Sequence, residues 1–523
     1  MRTADSIAEI CEAVTRSRVG GSFWSVPASV GDRFSALIRT DCERAEPAIK
    51  REGIVALTPL LLSSVSADPP PVPAIGIETV ALAGDHDPWT LIERSERIVA
   101  SATDEVALLA AAAGRDVVDP ETGEQFDTAR LRDQLVADFD AWDYADPFTG
   151  APIDVLEWIE ILGEWRSQID ANRSLSNVVG IKGWKARALS RFLWADRPPR
   201  LLSASSGPEV GGGKPVGIWP SRVPSGFVRK AEDGALPLAR IEDGFIRSIG
   251  LGTHLFPPCS IVIDMTGIYY DPNCPSDLER ILSEIEFQPQ LIERAAALVQ
   301  LLVRGGVTKY AAHKTGSIEL PDAARRVLVP GQVSDDLSVK LGGTGVTGNI
   351  DLLRRARAAE PDAWIGYRPH PDVSAGLRKG HVDDAQALQF ADAVIRDGSI
   401  AELLDQVDCV HTLTSLAGFE ALLRGCQVVT HGQPFYAGWG LTQDMGPPVE
   451  RRRRRLTLLE LVAGCLILYP RYVDPETGLP CSPELLVQRH LAGPKPAPTI
   501  LNRLRSLQGK ALVTSRRLVG AAA

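Results

Sequence analysis

The sequence has no C-x-x-C pair: its eight cysteines, Cys11, Cys42, Cys259, Cys274, Cys409, Cys426, Cys465 and Cys481, are scattered over 523 residues. That spacing argues against a zinc site and against a disulfide framework, and makes reduced, cytoplasmic thiols the expectation. Positive charge is also short. Lys and Arg number 56 against 66 Asp and Glu, giving a net charge of -10, which disfavours nucleic acid as the main partner. Long apolar runs are missing too: the most apolar segment, Leu456 to Pro470, is interrupted by Glu460 and is too short to span a bilayer. Asp5 and Glu9 precede any apolar run, so the start does not read as a signal peptide. What is present, 44% hydrophobic and 23% charged residues, is the composition of a soluble globular protein, long enough for two or three domains.

One stretch invites chemistry. Arg240-Ile241-Glu242-Asp243-Gly244-Phe245-Ile246-Arg247-Ser248-Ile249-Gly250-Leu251-Gly252 sets two carboxylates between an apolar run and a glycine, with an arginine on either side. It reads as a strand end that turns sharply and presents an acid. A nucleophilic carboxylate needs a fixed backbone, a nearby cation and room for substrate, which Gly244, Arg247, Gly250 and Gly252 are suited to supply. Glu-Asp-Gly is also a common turn sequence. A second copy, Glu232-Asp233-Gly234, has polar neighbours and reads as a surface loop.

Residues 1–173 read as helix-rich, with a proline cluster at Pro69, Pro70, Pro71 and Pro73 marking a loop or linker. They also carry part of an internal repeat. Ile98 to Thr103, Ala107 to Gly114 and Asp116 to Val118 line up with Cys409 to Thr414, Gly418 to Gly425 and Gln427 to Val429, and Tyr144 to Gly150 lines up with Tyr472 to Gly478. The first copy has Ala100, Asp104 and Leu109 where the second has His411, Ser415 and Glu420, so it reads as a duplicate that kept its packing and lost its polar groups. From Ala204 to Pro470 strands and helices alternate, the pattern of two doubly wound α/β domains whose ligands bind at the carboxyl ends of strands. Strands are predicted at Val216 to Trp219, Leu238 to Ile241, Ile261 to Met265, Val327 to Pro330, Trp364 to Tyr367, Cys409 to Thr412 and Gln427 to Thr430. The expected divisions are 1–173, 174–322, 323–490 and a basic tail, 491–523.

Polar motifs follow these strands. In Arg368-Pro369-His370-Pro371 the prolines hold His370 in an extended turn, where it either donates to a phosphate or bonds a backbone carbonyl. Thr412-Leu413-Thr414-Ser415 opens a helix, and its hydroxyls and free N–H groups suit either capping or a phosphate, or both. Glu420, one turn in, reads as a site acid or a surface charge. Gly432 to Thr442, containing Gln433, Phe435, Tyr436 and Trp439, suits stacking on a base or sugar or else closes the domain. Gly342-Gly343-Thr344-Gly345 lacks a P-loop lysine and reads as a flexible loop.

The ordered set Glu242-Asp243-Gly244, His370-Pro371 and Thr414-Ser415 resembles the motifs of bacterial transferases that use CMP-activated nonulosonic or octulosonic sugars. The longer strings, Ile241 to Ser248 with Gly250-Leu251-Gly252, Arg368 to Pro371 and Gln433 to Gly440, look like the capsular polysaccharide synthesis family of retaining β-Kdo glycosyltransferases, over about Gly180 to Gly478. The resemblance implies a GT-B-like α/β fold, two Rossmann-like domains facing a cleft, here preceded by a degenerate repeat of part of the module. It implies CMP-β-Kdo as donor, no cofactor and no metal, and a lysophosphatidylglycerol-type lipid acceptor. Asp243 is then the nucleophile and His370 the group that binds or protonates the departing phosphate. Thr414 and Ser415 hold that phosphate, Arg247 meets the sugar carboxylate, and Glu242, Gly244, Arg368, Glu420, Gln433 and Tyr436 complete the donor site. Residues 1–173 keep no Glu-Asp-Gly or His-Pro pair at a matching place, so one active module is expected.

Two basic features fit an anionic membrane surface: the run Arg451 to Arg455, and a tail after Glu484 with Arg489, Lys495, Arg503, Arg505, Lys510, Arg516 and Arg517 but no acid. The expectation is a cytoplasmic protein, peripheral on the inner face of the cytoplasmic membrane, with capsule assembly and export proteins as partners. The competing readings are a sialyltransferase-like enzyme using another CMP-sugar and a catalytically silent assembly scaffold.

Overall fold

The computed structural model describes residues 3–29, 33–39, 60–64, 79–181, 184–203, 213–246, 257–307, 318–376 and 378–492. Arg247, Gly250, Gly252, the proline cluster at 69–73 and the tail beyond 492 lie outside the described residues. The chain divides into two compact units, 1–174 with 193–199, and 175–192 with 200–523.

The first unit is more than the helix-rich segment expected. Strands β1 (Phe34–Arg39), β2 (Leu60–Ser64), β3 (Thr79–Ala83), β4 (Ser95–Val99) and β5 (Val117–Val118) form a parallel sheet in the order β3-β2-β1-β4-β5. Short apolar strands such as Phe34–Arg39, in which Phe34, Ala36, Leu37 and Ile38 are all buried, do not alternate and cannot be told from helix by periodicity. The repeat is visible in detail. Asp104 caps the helix Glu105–Ala112 through Val106 N–H as Ser415 caps Leu416–Leu423 through Ala417 N–H, and both helices end at a left-handed glycine, Gly114 (φ +72°) and Gly425 (φ +78°). Farther on, β6 (Tyr144–Ala145) with β7 (Pro152–Ile153) is a hairpin whose Asp146 carboxylate accepts from Phe148 and Thr149 N–H. Asp474 does the same for Glu476 and Thr477.

The second unit holds two sheets. Strands β8 (Asn177–Val179), β9 (Arg200–Leu202), β10 (Val216–Ile218), β11 (Leu238–Asp243) and β12 (Ser260–Asp264) belong to the first, and β13 (Arg326–Pro330), β14 (Trp364–Arg368), β15 (Ala393–Val394), β16 (Cys409–Thr412), β17 (Gln427–Thr430) and β18 (Gln443–Asp444) form the second, in the order β15-β14-β13-β16-β17-β18. The chain then returns to the first sheet with β19 (Pro470–Val473) and β20 (Pro480–Cys481), making its order β20-β19-β12-β11-β10-β8-β9. The second sheet is parallel throughout, as a doubly wound domain requires. The first is parallel only from β9 to β11; β12 runs antiparallel to β11, and β19 and β20 follow antiparallel. An antiparallel neighbour needs no crossover helix, so β12 lies directly beside the strand that bears Asp243. The arrangement is GT-B-like: two α/β layers in one unit, joined where Phe245, just after β11, meets Phe419 of the helix after β16 and Phe435 of the loop after β17.

Candidate functional site

Asp243 is the last residue of β11, in register with Ile261 of β12. The turn after it is forced by space. Gly244 donates its N–H to the Ser260 carbonyl at 3.0 Å, and a Cβ there would collide with the Ser260 side chain, whose hydroxyl is bonded to the Ile246 carbonyl. Glu242 Oε1 accepts the Asp243 N–H at 3.0 Å, so this carboxylate braces the backbone of the next residue. The Lys185 ammonium stands 3.5 Å from Asp243 Oδ1 and 3.2 Å from the Trp219 ring centroid. Neither Lys185 nor Trp219 was singled out from sequence; the available signal was a lysine shortly after the β8 strand and a tryptophan at the β10 strand end. The other Glu-Asp-Gly copy ends the helix Ser225–Asp233, with Asp233 exposed.

Across the unit, β13, β14 and β16 end side by side. His370 caps the short helix Pro371–Ser374, its Nδ1 accepting from Asp372 N–H at 3.1 Å. The neutral ring therefore carries its proton on Nε2, the nitrogen suited to donate to an anion. Gln332, after β13, was missed in the sequence: its Oε1 takes the Thr414 N–H at 2.9 Å and its Nε2 donates to Thr414 Oγ1 at 3.0 Å. Ser415 Oγ accepts Ala417 N–H at 3.2 Å and so caps the helix Leu416–Leu423. Gln433 is tied to Gly342 through its N–H and to Pro447 through its side chain. The Gly342 to Gly345 loop is pinned rather than loose, Thr344 (φ +45°) donating to the His431 carbonyl at 2.9 Å.

Other expected donor contacts have structural employment. The Arg368 guanidinium is spent on the carbonyls of Ile395, Asp397 and Gly398. The aromatic run does not offer stacking faces: Phe435, Tyr436 and Trp439 are buried, and the Tyr436 hydroxyl donates to the Ser415 carbonyl at 2.5 Å. Burial holds that phenol protonated, so Tyr436 acts on the site by fixing the turn that carries Ser415. Phe435 packs 4.5 Å from Phe245 and 5.7 Å from Tyr269, ring centroid to centroid, joining the loop after β11 to the second sheet. Burial, then the carboxylates of Glu242, Asp336 and Asp243, push the Tyr269 phenol well above its usual range. Glu420 is buried, not a surface charge. The arginine run is partly engaged within the fold: Arg452 is buried, whereas Arg451, Arg453 and Arg455 are exposed. Arg451 and Arg452 both pair with Glu279, Arg452 also donates to the Pro434 and Ala437 carbonyls, and Arg454 pairs with Glu460. Arg452 is tolerated in the interior because its donors meet the Glu279 carboxylate and two backbone carbonyls.

Among the described residues, Glu360, Cys409 and His411 bring metal-ligating atoms within 4.8 Å of one another. Arg325 already holds both Glu360 oxygens, at 2.7 and 2.6 Å, and burial pushes the Cys409 thiol up to about 12. The group works as a buried polar chain: Glu360 lies 3.6 Å from His411 Nε2, and His411 Nδ1 lies 3.1 Å from His431 Nε2. Burial, reinforced by His411, holds His431 down to about 4 from 6.5, and burial lowers His411 despite Glu360. The folded state thus binds fewer protons than the unfolded state between these values. Stability is full above pH 6.5 and falls as pH drops, by on the order of 2 kcal/mol at pH 5. Urea midpoints measured at pH 7.5 and 5 should show this loss, and His431→Asn should shrink it; equal pH dependence in both proteins would remove His431 as its source.

Comparison with known proteins adds the following. The family described as "Capsule polysaccharide biosynthesis protein" matches residues 215–298 and 288–472. The "Capsule polysaccharide modification protein LipA" of Neisseria meningitidis serogroup B is 40% identical over 353 residues, 66% of this chain and 49% of that protein. The "Lipopolysaccharide-processing protein LpsZ" of Rhizobium meliloti is 44% identical over 248 residues, 47% of this chain and 56% of that one. The chain spans about half the length of the curated relatives it matches. A solved structure from Thermosulfurimonas dismutans, described as KpsC, beta Kdo 2,4 transferase, is 34% identical with a TM-score of 0.53, covering 60% of this chain and 98% of that one.

Proposed function

The chain belongs to the capsule polysaccharide biosynthesis protein family, and from that premise we propose that it is a retaining glycosyltransferase that moves β-Kdo from CMP-β-Kdo to a lysophosphatidylglycerol-type lipid acceptor. The observation that carries this reading is Asp243: a carboxylate at a strand's carboxyl end, on a turn only glycine permits, beside an ammonium. In the first step an Asp243 oxygen bonds to the anomeric carbon, and the bond from that carbon to the phosphate oxygen breaks, its electron pair leaving with CMP. In the second the acceptor hydroxyl bonds to the same carbon, its proton passes to a base, and the electron pair of the ester bond returns to Asp243. Two inversions give retention. His370, through Nε2–H, and the turn at Thr414 and Ser415 stabilise the departing phosphate. In this reading Arg247 meets the donor sugar's carboxylate, and the basic tail after Glu484 meets acidic groups of the membrane that presents the acceptor.

The test is turnover with CMP-Kdo, generated in situ, and a lysophosphatidylglycerol acceptor, with the anomeric configuration of the product read by NMR. A β product is expected; an α product would overturn retention, and product only from CMP-sialic acid would overturn the donor. His370→Ala should lower kcat by about 10²–10³-fold with the fold intact. Unchanged kcat would remove His370 from the phosphate site.

A further inference from the structure

Three strand ends of the first sheet deliver Lys185, Trp219 and Asp243 to one place. The chain leaves β8 through Gly180 (φ +91°) and returns in the helix Trp184–Ser190, which bears Lys185; Trp219 directly follows β10; Asp243 ends β11. The placement is tight. Trp219 N–H donates to the Val179 carbonyl at 3.3 Å, and a Cβ on Gly180 would stand 2.9 Å from Val223 Cγ1. The side chains of Lys185 and Asp243 are only 13% and 15% exposed. An ammonium held between a carboxylate and an indole face is gripped by opposite charge and by the ring quadrupole together.

When either member of an enclosed pair loses its charge, the other loses that share of its compensation. Yet double displacement consumes the charge of Asp243 when its oxygen bonds to the anomeric carbon. In a 2-ulosonic acid a carboxylate is attached to that very carbon, so a substrate anion arrives as the enzyme's own is neutralised. We infer that Lys185, clamped by Trp219, is a positioning residue with two successive partners: Asp243 in the free enzyme and the donor sugar's own carboxylate in the covalent intermediate. The inference rests on the reading of Asp243 as nucleophile. The ammonium keeps its protons throughout; only its counterion changes. The site thereby selects acidic ketose donors over neutral ones.

The test is formation of the sugar–enzyme adduct from CMP-Kdo without acceptor, followed by intact mass, in wild type, Lys185→Met, Lys185→Cys and Asp243→Ala. Lys185→Met is expected to slow adduct formation by about 10²–10³-fold. Aminoethylation of Lys185→Cys rebuilds an ammonium of nearly the same reach and should restore the rate to within about tenfold of similarly treated wild type, whereas carboxamidomethylation should not. Rescue of this kind separates charge from packing, since both reagents refill the space. Adduct formation by Lys185→Met within about threefold of wild type, or equal rescue by the neutral reagent, overturns the inference and leaves the nucleophile reading standing. An adduct that persists in Asp243→Ala overturns the nucleophile reading instead.

Discussion

Asp243→Ala is expected to abolish sugar transfer, with kcat falling about 10⁴-fold or more. Removing a nucleophile leaves only binding and the phosphate contacts, and neither offers a second carboxylate at the anomeric carbon. Glu242 does not substitute, because its Oε1 is bonded to the Asp243 N–H. The variant should fold: β11 retains its ladder, and Lys185 keeps the Trp219 face. Asp233→Ala, in the other Glu-Asp-Gly, is the internal control and should leave kcat unchanged, since Asp233 is an exposed helix end. Measured steady-state rates for the two variants check the assignment; comparable losses in both would refute it.

Glu279→Ala should produce the largest loss of stability, about 3–5 kcal/mol. Glu279 lies in the helix Asp277–Glu284 and accepts Arg451 Nε and Arg452 Nε, each at 2.9 Å. The Arg452 side chain is 1% exposed, and burial already works against its charge. Truncating Glu279 leaves that guanidinium with the Pro434 and Ala437 carbonyls but without its hydrogen-bonded carboxylate. The same carbonyls belong to the loop that carries Phe435 against Phe245, so the join between the sheets loosens with it. Arg453→Ala should cost no more than about 0.5 kcal/mol, as Arg453 is exposed. Chemical denaturation gives both values, and a Glu279→Ala loss under 1 kcal/mol would contradict the staple.

The strands at Val327 to Pro330, Cys409 to Thr412 and Gln427 to Thr430 were legible because each is a short apolar run bounded by turn residues. β1, β2 and β3 were not, since their pairing depends on partners distant in sequence and their apolar runs carry no period. The residues at strand ends, Asp243, His370, Thr414 and Ser415, could be placed for the same reason as the strands. Lys185 could not: its meaning arises only because β8, β10 and β11 lie side by side, which no local pattern states. Tyr436 and Arg452 were misleading in the opposite way. An aromatic beside glycine and a run of like charge both suggest surface, and only tertiary packing puts Tyr436 on the Ser415 carbonyl and Arg452 on Glu279. Glu420 shows the same limit from within a helix whose other faces are apolar.

The most direct measurement is the intact mass of the protein after exposure to CMP-Kdo in the absence of acceptor. A mass increase of one octulosonic acid residue, with release of CMP, mapped by peptide mass to Asp243 and absent in Asp243→Ala, is the predicted result. CMP release with no adduct at any time point would contradict it.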